Sequence, residues 1–243
     1  MKIIVCCKQV PDTETKVAVA GDGREIAAEG VAWVLNPYDE FAVEEALRIT
    51  EKLGQGEVTL VSLGPARVQD ALRTGLAMGA HRAVLLRDDA FEGGDALAVA
   101  RVLAKAISTM EYDLILCGKQ AVDDDSAQVG AALAELLGLP EIGLITKVEI
   151  LEGGKEAVVL RQVDGGGEEI QVKLPAVMTA QKGLNEPRYP SLPGIMKARK
   201  KEITNLDAAA LGLNPGETGR SGSGTEVLAL ALPDPRQPGR LVE

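Results

Sequence analysis

The chain opens on an unbroken apolar run over residues 3–7, closed by Lys8 and Pro11, a pattern that suits a strand buried on both faces. Residues 38–53 carry apolar positions at helical spacing (Phe41, Val43, Ala46, Leu47, Ile49), with Pro37 before them and Gly54 after. The run VTLVSL predicts a second buried strand over 57–63. Helices are expected over 68–78, ending at Gly79, over 96–110 and over 127–137. Further strands are expected over 83–86, 114–117 and 176–180. Strands alternating with helices at this spacing imply βαβ units and a mainly parallel, doubly wound sheet.

From about residue 148 the period changes. Residues 148–151, 157–162 and 169–172 alternate and are separated by Gly153-Gly154 and Gly165-Gly166-Gly167, which predicts antiparallel hairpins. Residues 17–32 are irregular, with a turn at Gly21 and Gly23. Pro187, Pro190 and Pro193 are expected to prevent a regular helix over 183–195. After a basic run at 196–201, the tail from Thr204 is rich in Gly, Pro and Ser, with one strand-like patch at 227–232. The expected organisation is an α/β domain over 1–203 and an irregular C-terminal arm over 204–243 that lies on another chain.

Composition narrows the function. Aromatic residues are only 2%, so the core is packed from Ala, Val, Leu and Ile. A formal charge of −10 argues against sequence-independent binding of nucleic acid, which needs a surplus of Lys and Arg. It leaves room for one small phosphate ligand held by backbone N–H groups. Neither a signal segment nor a membrane span is expected, since no apolar run approaches about 20 residues. The three cysteines, two of them adjacent, fit small buried residues of a reduced cytoplasmic protein better than a disulfide framework or zinc site.

The parts of a self-sufficient catalyst are absent. The single histidine, His81, follows a helix beside Arg82 and reads as a surface residue. The sequence has no HExxH, CxxC, GxGxxG or GxxxxGK[ST]. Polar loops do follow the strands: Cys6-Cys7-Lys8, Ser62-Leu63-Gly64-Pro65, and Gly118-Lys119-Gln120 leading into the loop before the 127–137 helix. In an open parallel sheet such strand ends bind ligands where the strand order switches. A helix opening with Ser126 after three aspartates offers N–H groups to an anion, although aspartates also act as plain caps. Three carboxylates would repel a bare phosphate, so a nucleotide spanning several strand ends fits better.

The loop GKQAVDDDSAQVG, the segment LNPYDEFAVEEALR, the stretch VLRQVDGGGEEIQVKLPAVMTA and the segment LNEPRYPSLPGIMKARKK together resemble the electron-transfer flavoprotein beta subunit. The resemblance spans most of residues 1–203. It implies a heterodimer in which an alpha subunit holds most of the FAD site, and the beta subunit holds AMP, or a second FAD in electron-bifurcating relatives. The implied nucleotide contacts are Cys6, Asn36, Pro37, Tyr38, Asp39, Leu63, Gly118, Lys119, Gln120, Ala121, Val122, Asp123, Asp124, Asp125, Ser126, Ala127, Gln128 and Val129. The implied docking loop for an acyl-CoA dehydrogenase is 183–201: Leu192 as the plug, with Tyr189, Pro190, Pro193, Ile195, Lys197, Arg199 and Lys200 around it. A quinone-linked oxidoreductase would take the electrons onward. Such a chain is an electron carrier rather than a catalyst on its own.

Two departures stand out. Gln162 occupies a position where the family often has an acid, and the tail stops soon after PDPRQPGRLVE, so a terminal helix of relatives is expected to be missing. The alternatives are a stand-alone nucleotide sensor of universal-stress type and an adenylate-forming ATP-pyrophosphatase. The second would need a glycine-rich phosphate loop after the first strand, where this chain has Lys8-Gln9-Val10-Pro11 with no glycine. The proline-rich loop and basic run favour the electron carrier over a solitary sensor. For the nucleotide itself, Asp124 stands where FAD-carrying relatives tend to have glycine, which favours AMP. The opening VCCKQVPDTE and the NPYDE segment look closer to the bifurcating relatives.

Overall fold

A computed structural model describes residues 1–234. In chain order the strands are β1 (Lys2–Cys6), β2 (Gln9–Pro11), β3 (Trp33–Leu35), β4 (Glu57–Leu63), β5 (Arg82–Leu86), β6 (Leu114–Gly118), β7 (Glu141–Ile150), β8 (Glu156–Val163), β9 (Gly166–Lys173), β10 (Val177–Ala180) and β11 (Ile203–Leu206). The helices are α1 (Pro37–Leu53), α2 (Val68–Met78), α3 (Ala96–Ile107), α4 (Val129–Leu137), α5 (Leu192–Lys200), α6 (Ala208–Leu211) and α7 (Gly219–Gly222). Nine strands form one sheet in the order β11-β5-β4-β1-β6-β10-β7-β8-β9. Neighbours from β11 to β7 run parallel, and β8 and β9 are added as antiparallel hairpins. The fold is therefore the α/β class that the pattern implies.

The pleat explains the unbroken apolar run of β1. Ile3 and Val5 pack with α1 and α2, while Ile4 and Cys6 pack with α3 and α4, so both faces are dry. The chain winds from β1 out through β4 to β5, then returns to β6 on the other side of β1. The carboxyl ends of β1 and β6 are thus the point where strand order reverses, and a crevice opens there. Among the described residues no helix is long and apolar enough to cross a membrane.

Three expectations are corrected. The prolines do not keep 183–195 free of helix. Pro193 lies in the first turn of α5, where a missing N–H costs nothing, and the Ser191 hydroxyl accepts from the Gly194 N–H at 3.1 Å. Pro187 and Pro190 keep the irregular part to the segment before it. The division after residue 203 falls inside β11, which pairs with β5 and extends the sheet. Beyond it α6 buries Ala208 and Leu211, and Thr218 is buried through a hydrogen bond from its hydroxyl to Ala90 O, so this part of the tail packs on its own chain. The patch at 227–232 forms no strand, because its backbone lies along the surface with a single bond, Leu230 N–H to Gly23 O at 2.7 Å. Residues 235–243, the last part of the expected arm, lie outside the described residues.

Candidate functional site

The switch point is held open by two side chains at the start of α1. Asn36, the residue before the helix, does not cap it. Its Nδ2 donates to Gln120 O at 2.9 Å and its Oδ1 accepts from Val122 N–H at 3.2 Å. One turn on, buried Asp39 accepts from Lys8 N–H at 2.7 Å and from Gly118 N–H at 3.0 Å. One carboxylate therefore clasps the ends of β1 and β6. Burial pushes its pKa up to about 7, although both N–H groups favour the charged form.

This clasp makes a pH prediction. A carboxyl that titrates near 7 when folded and near 4 when unfolded holds its proton in the native state across that interval. Its contribution to stability is therefore largest at the acid end and declines as pH rises to about 7. Asp39→Asn should remove that decline while lowering stability overall, because an amide NH₂ would face a backbone N–H. Between pH 5 and 7.5 the wild type should lose about 2 kcal/mol relative to the variant in denaturant unfolding. Parallel pH profiles for the two proteins would contradict it.

Between β6 and α4 the chain forms the acidic loop. Helix α4 begins at Val129, with Gln128 as its uncapped first flank, so the expected opening at Ser126 is corrected by three residues. Ser126 N–H is taken by Asp124 Oδ1 at 3.1 Å. The free donors are those of the first turn, at Val129, Gly130 and Ala131. Asp125 and Ala127 have φ of 51° and 54°, left-handed values that cost about 1–3 kcal/mol each. Lys8 Nζ reaches Asp123 Oδ1 at 2.8 Å and Asp124 Oδ2 at 3.0 Å. Gln120 Nε2 holds Asp125. The three carboxylates are thus turned onto Lys8, Gln120 and their own loop, which reduces their repulsion of an anion without cancelling it.

These elements surround a cleft of about 690 Å³. Of the residues expected to touch a nucleotide, Cys6, Asn36, Asp39, Leu63, Gly118, Lys119, Gln120, Ala121, Asp124, Ser126, Ala127, Gln128 and Val129 line it. Pro37, Tyr38, Val122, Asp123 and Asp125 lie behind the lining: Tyr38 carries Lys119 at 4.9 Å over its ring, and the others shape α1 and the loop. The cleft also takes in Lys8, Gly64, Pro65, Arg67, Arg87, Asp95, Arg220 and Thr225. Lys8, Gly64 and Pro65 follow strands and were legible as such. Arg67 stacks 3.6 Å over Trp33, a contact made by pairing β2 with β3, for which the sequence carried no periodic signal. Cys6, Cys7 and Cys117 are free and buried, and His81 Nδ1 accepts from Val58 N–H at 3.0 Å in an exposed position.

The segment before α5 stands on the opposite flank of α1. Arg188 bonds Glu44 Oε2 at 2.7 Å and Glu51 Oε1 at 2.6 Å. Burial would raise the Glu44 pKa, but Arg188 and Arg48 together hold it below the usual range. Asn185 Nδ2 donates to Glu45 Oε2 at 2.8 Å. A Cβ on Gly194 would lie 2.6 Å from Ala77 O, so α5 sits tight on the end of α2. On this anchored base Tyr189 is 97% exposed and Leu192 78%; Ile195 packs inward and Pro190 is half-buried. Lys197, Arg199 and Lys200 project from the last turns of α5.

Comparison with known proteins shows the family. The electron transfer flavoprotein domain matches residues 24–211. The chain belongs to the electron transfer flavoprotein family, a class of proteins of electron transport. Within that family it is similar to beta subunits along nearly its whole length. It is 46% identical over 242 residues to the electron transfer flavoprotein subunit beta of Thermoanaerobacterium thermosaccharolyticum, covering 99% of this chain and 92% of the relative. To the Bos taurus subunit beta it is 44% identical over 216 residues, 88% of this chain and 84% of the relative. It is also 40% identical over 243 residues, its full length and 92% of the relative, to subunit CarD of the caffeyl-CoA reductase-Etf complex of Acetobacterium woodii.

Proposed function

We propose that this chain is the beta half of a heterodimeric electron carrier and that its cleft holds AMP. The supporting observation is the anion seat at the β1/β6 switch point: left-handed turns at Asp125 and Ala127 deliver the free N–H groups of α4, while Lys8 offsets part of the acidic loop. One lysine offsets one charge of three, and Asp124 keeps a carboxylate on the cleft wall, so one phosphate is favoured over two. The FAD is held mainly by the alpha subunit and supplies the redox chemistry when bound. This chain's residues hold the nucleotide, shape the interface and present the docking segment. Donors are acyl-CoA-type dehydrogenases of fatty acid β-oxidation, meeting Leu192 and steered by Lys197, Arg199 and Lys200; the acceptor is a quinone-linked oxidoreductase, and the compartment is the cytoplasm.

Apolar side chains on the surface tail (Val227, Leu228, Leu230 and Leu232) support a large partner interface there. A second reading, FAD in place of AMP, is favoured by the size of the cleft and by the likeness to the caffeyl-CoA reductase-Etf subunit. Producing the chain with and without the protein encoded by its genomic neighbour tests the carrier role. The pair should purify as a flavin-coloured complex and the lone chain should be flavin-poor. A colourless pair, or full flavin occupancy in the lone chain, would overturn it.

A further inference from the structure

We propose that Lys8 sets the charge selectivity of the cleft: it is the residue that lets a loop of three aspartates accept a phosphate-bearing ligand rather than a neutral nucleoside. The inference rests on the nucleotide reading of the cleft.

Lys8 is a positioned group. Its N–H is held by Asp39 at 2.7 Å, its carbonyl accepts from Asn36 N–H at 2.9 Å, and its side chain lines the cleft. From that fixed base Nζ reaches two carboxylates of a loop 115 residues away in sequence, at 2.8 and 3.0 Å. Burial opposes its charge, but the bonds to Asp123 and Asp124 more than offset this, so the ammonium is retained. Among the described residues, no other cation along the cleft pairs with the aspartates of this loop. Lys119 lies over Tyr38, Arg67 over Trp33, Arg24 pairs with Glu226 and Arg220 with Glu25, while Arg87 follows β5, two strands from β1. Without Lys8, Asp124 on the cleft wall and Asp123 behind it would lose their one cationic partner, and like charges brought together near a binding site disfavour the ligand strongly.

The test uses the complex with its partner subunit, freed of nucleotide and titrated separately with AMP and with adenosine. Lys8→Met should weaken AMP by about tenfold or more while leaving adenosine nearly unchanged, and Lys8→Arg should retain most of the preference. Adding Asp123→Asn and Asp124→Asn to Lys8→Met should bring AMP back to within about threefold of wild type, because the charges that Lys8 offsets are then gone. Equal losses for both ligands would mean a merely structural role and overturn the proposal. Failure of the triple variant to recover AMP would overturn it too, showing that Lys8 acts by touching the phosphate. A wild-type complex that binds neither ligand would overturn the nucleotide reading and this inference with it, whereas normal AMP binding with an unchanged AMP-to-adenosine ratio in Lys8→Met overturns the inference alone.

Discussion

Gly118→Ala is expected to destroy the floor of the cleft. A methyl group built there would clash with Asp39 Oδ1 and lie 2.7 Å from Tyr38 Cβ and 2.8 Å from the Tyr38 carbonyl carbon. None of these atoms is free to retreat. Asp39 is buried and bonded to both strand ends, and Tyr38 is in the first turn of α1, whose inner face is core. To admit the methyl, Asp39 must release Gly118 N–H and Lys8 N–H, leaving two part-buried donors at the cleft floor without their partner. Overpacking of about 1–3 kcal/mol and about 1 kcal/mol for each of the two lost hydrogen bonds give a combined cost of about 3 kcal/mol or more. Denaturant unfolding should show that loss, and the purified complex should contain little adenine nucleotide. Wild-type stability with normal nucleotide content would refute the clasp.

Leu192→Ala should leave stability and flavin content unchanged and cut turnover with an acyl-CoA dehydrogenase by about tenfold or more. The side chain is 78% exposed at the first position of α5, so its removal leaves no cavity. The base beneath it is rigid: Arg188 spans Glu44 and Glu51, Ser191 caps the helix, and Pro193 fixes its first turn. A leucine held out on such a base loses little entropy on docking, and its burial in a partner pocket is worth about 1.5–3 kcal/mol. Steady-state assays with the purified dehydrogenase check this. Unchanged turnover would remove Leu192 as the docking plug, and a lowered melting temperature would make it a folding residue instead.

The sheet was legible in the sequence where burial on both faces leaves one unambiguous signal. The runs at β1, β4 and β6 are largely apolar, and α1 and α2 end at glycines. What escaped was set by contacts distant in sequence. β2 and β3 are three residues each and pair across the irregular 12–32 segment. β11 is a short edge strand that exists because β5 offers an unpaired edge, and no periodicity in a four-residue strand announces that. Pro193 misled because a proline inside a putative loop reads as a breaker, while two residues after a serine cap it is a helix starter.

The candidate site shows the same division. Gly118, Asp39 and the DDDSAQVG loop could be placed by topology and resemblance together. The roles within them could not. That Asp39 is a clasp, that Asn36 ties α1 to the loop rather than capping its own helix, and that Lys8 offsets the aspartates depend on bonds spanning 31 to 116 residues. The wall made by Arg220 and Thr225 comes from a Gly/Ser-rich stretch with no pattern, held by Asp95, which accepts from Gly224 and Thr225 N–H at 2.8 and 3.2 Å.

The measurement that bears most directly on the account is the cofactor content of the purified heterodimer. Denaturing it and quantifying the released small molecules by chromatography should give one FAD and one AMP per dimer: the FAD from the alpha subunit and the AMP from the cleft at the β1/β6 switch point. Two FAD and no AMP, or no adenine nucleotide beyond the single FAD, would contradict it.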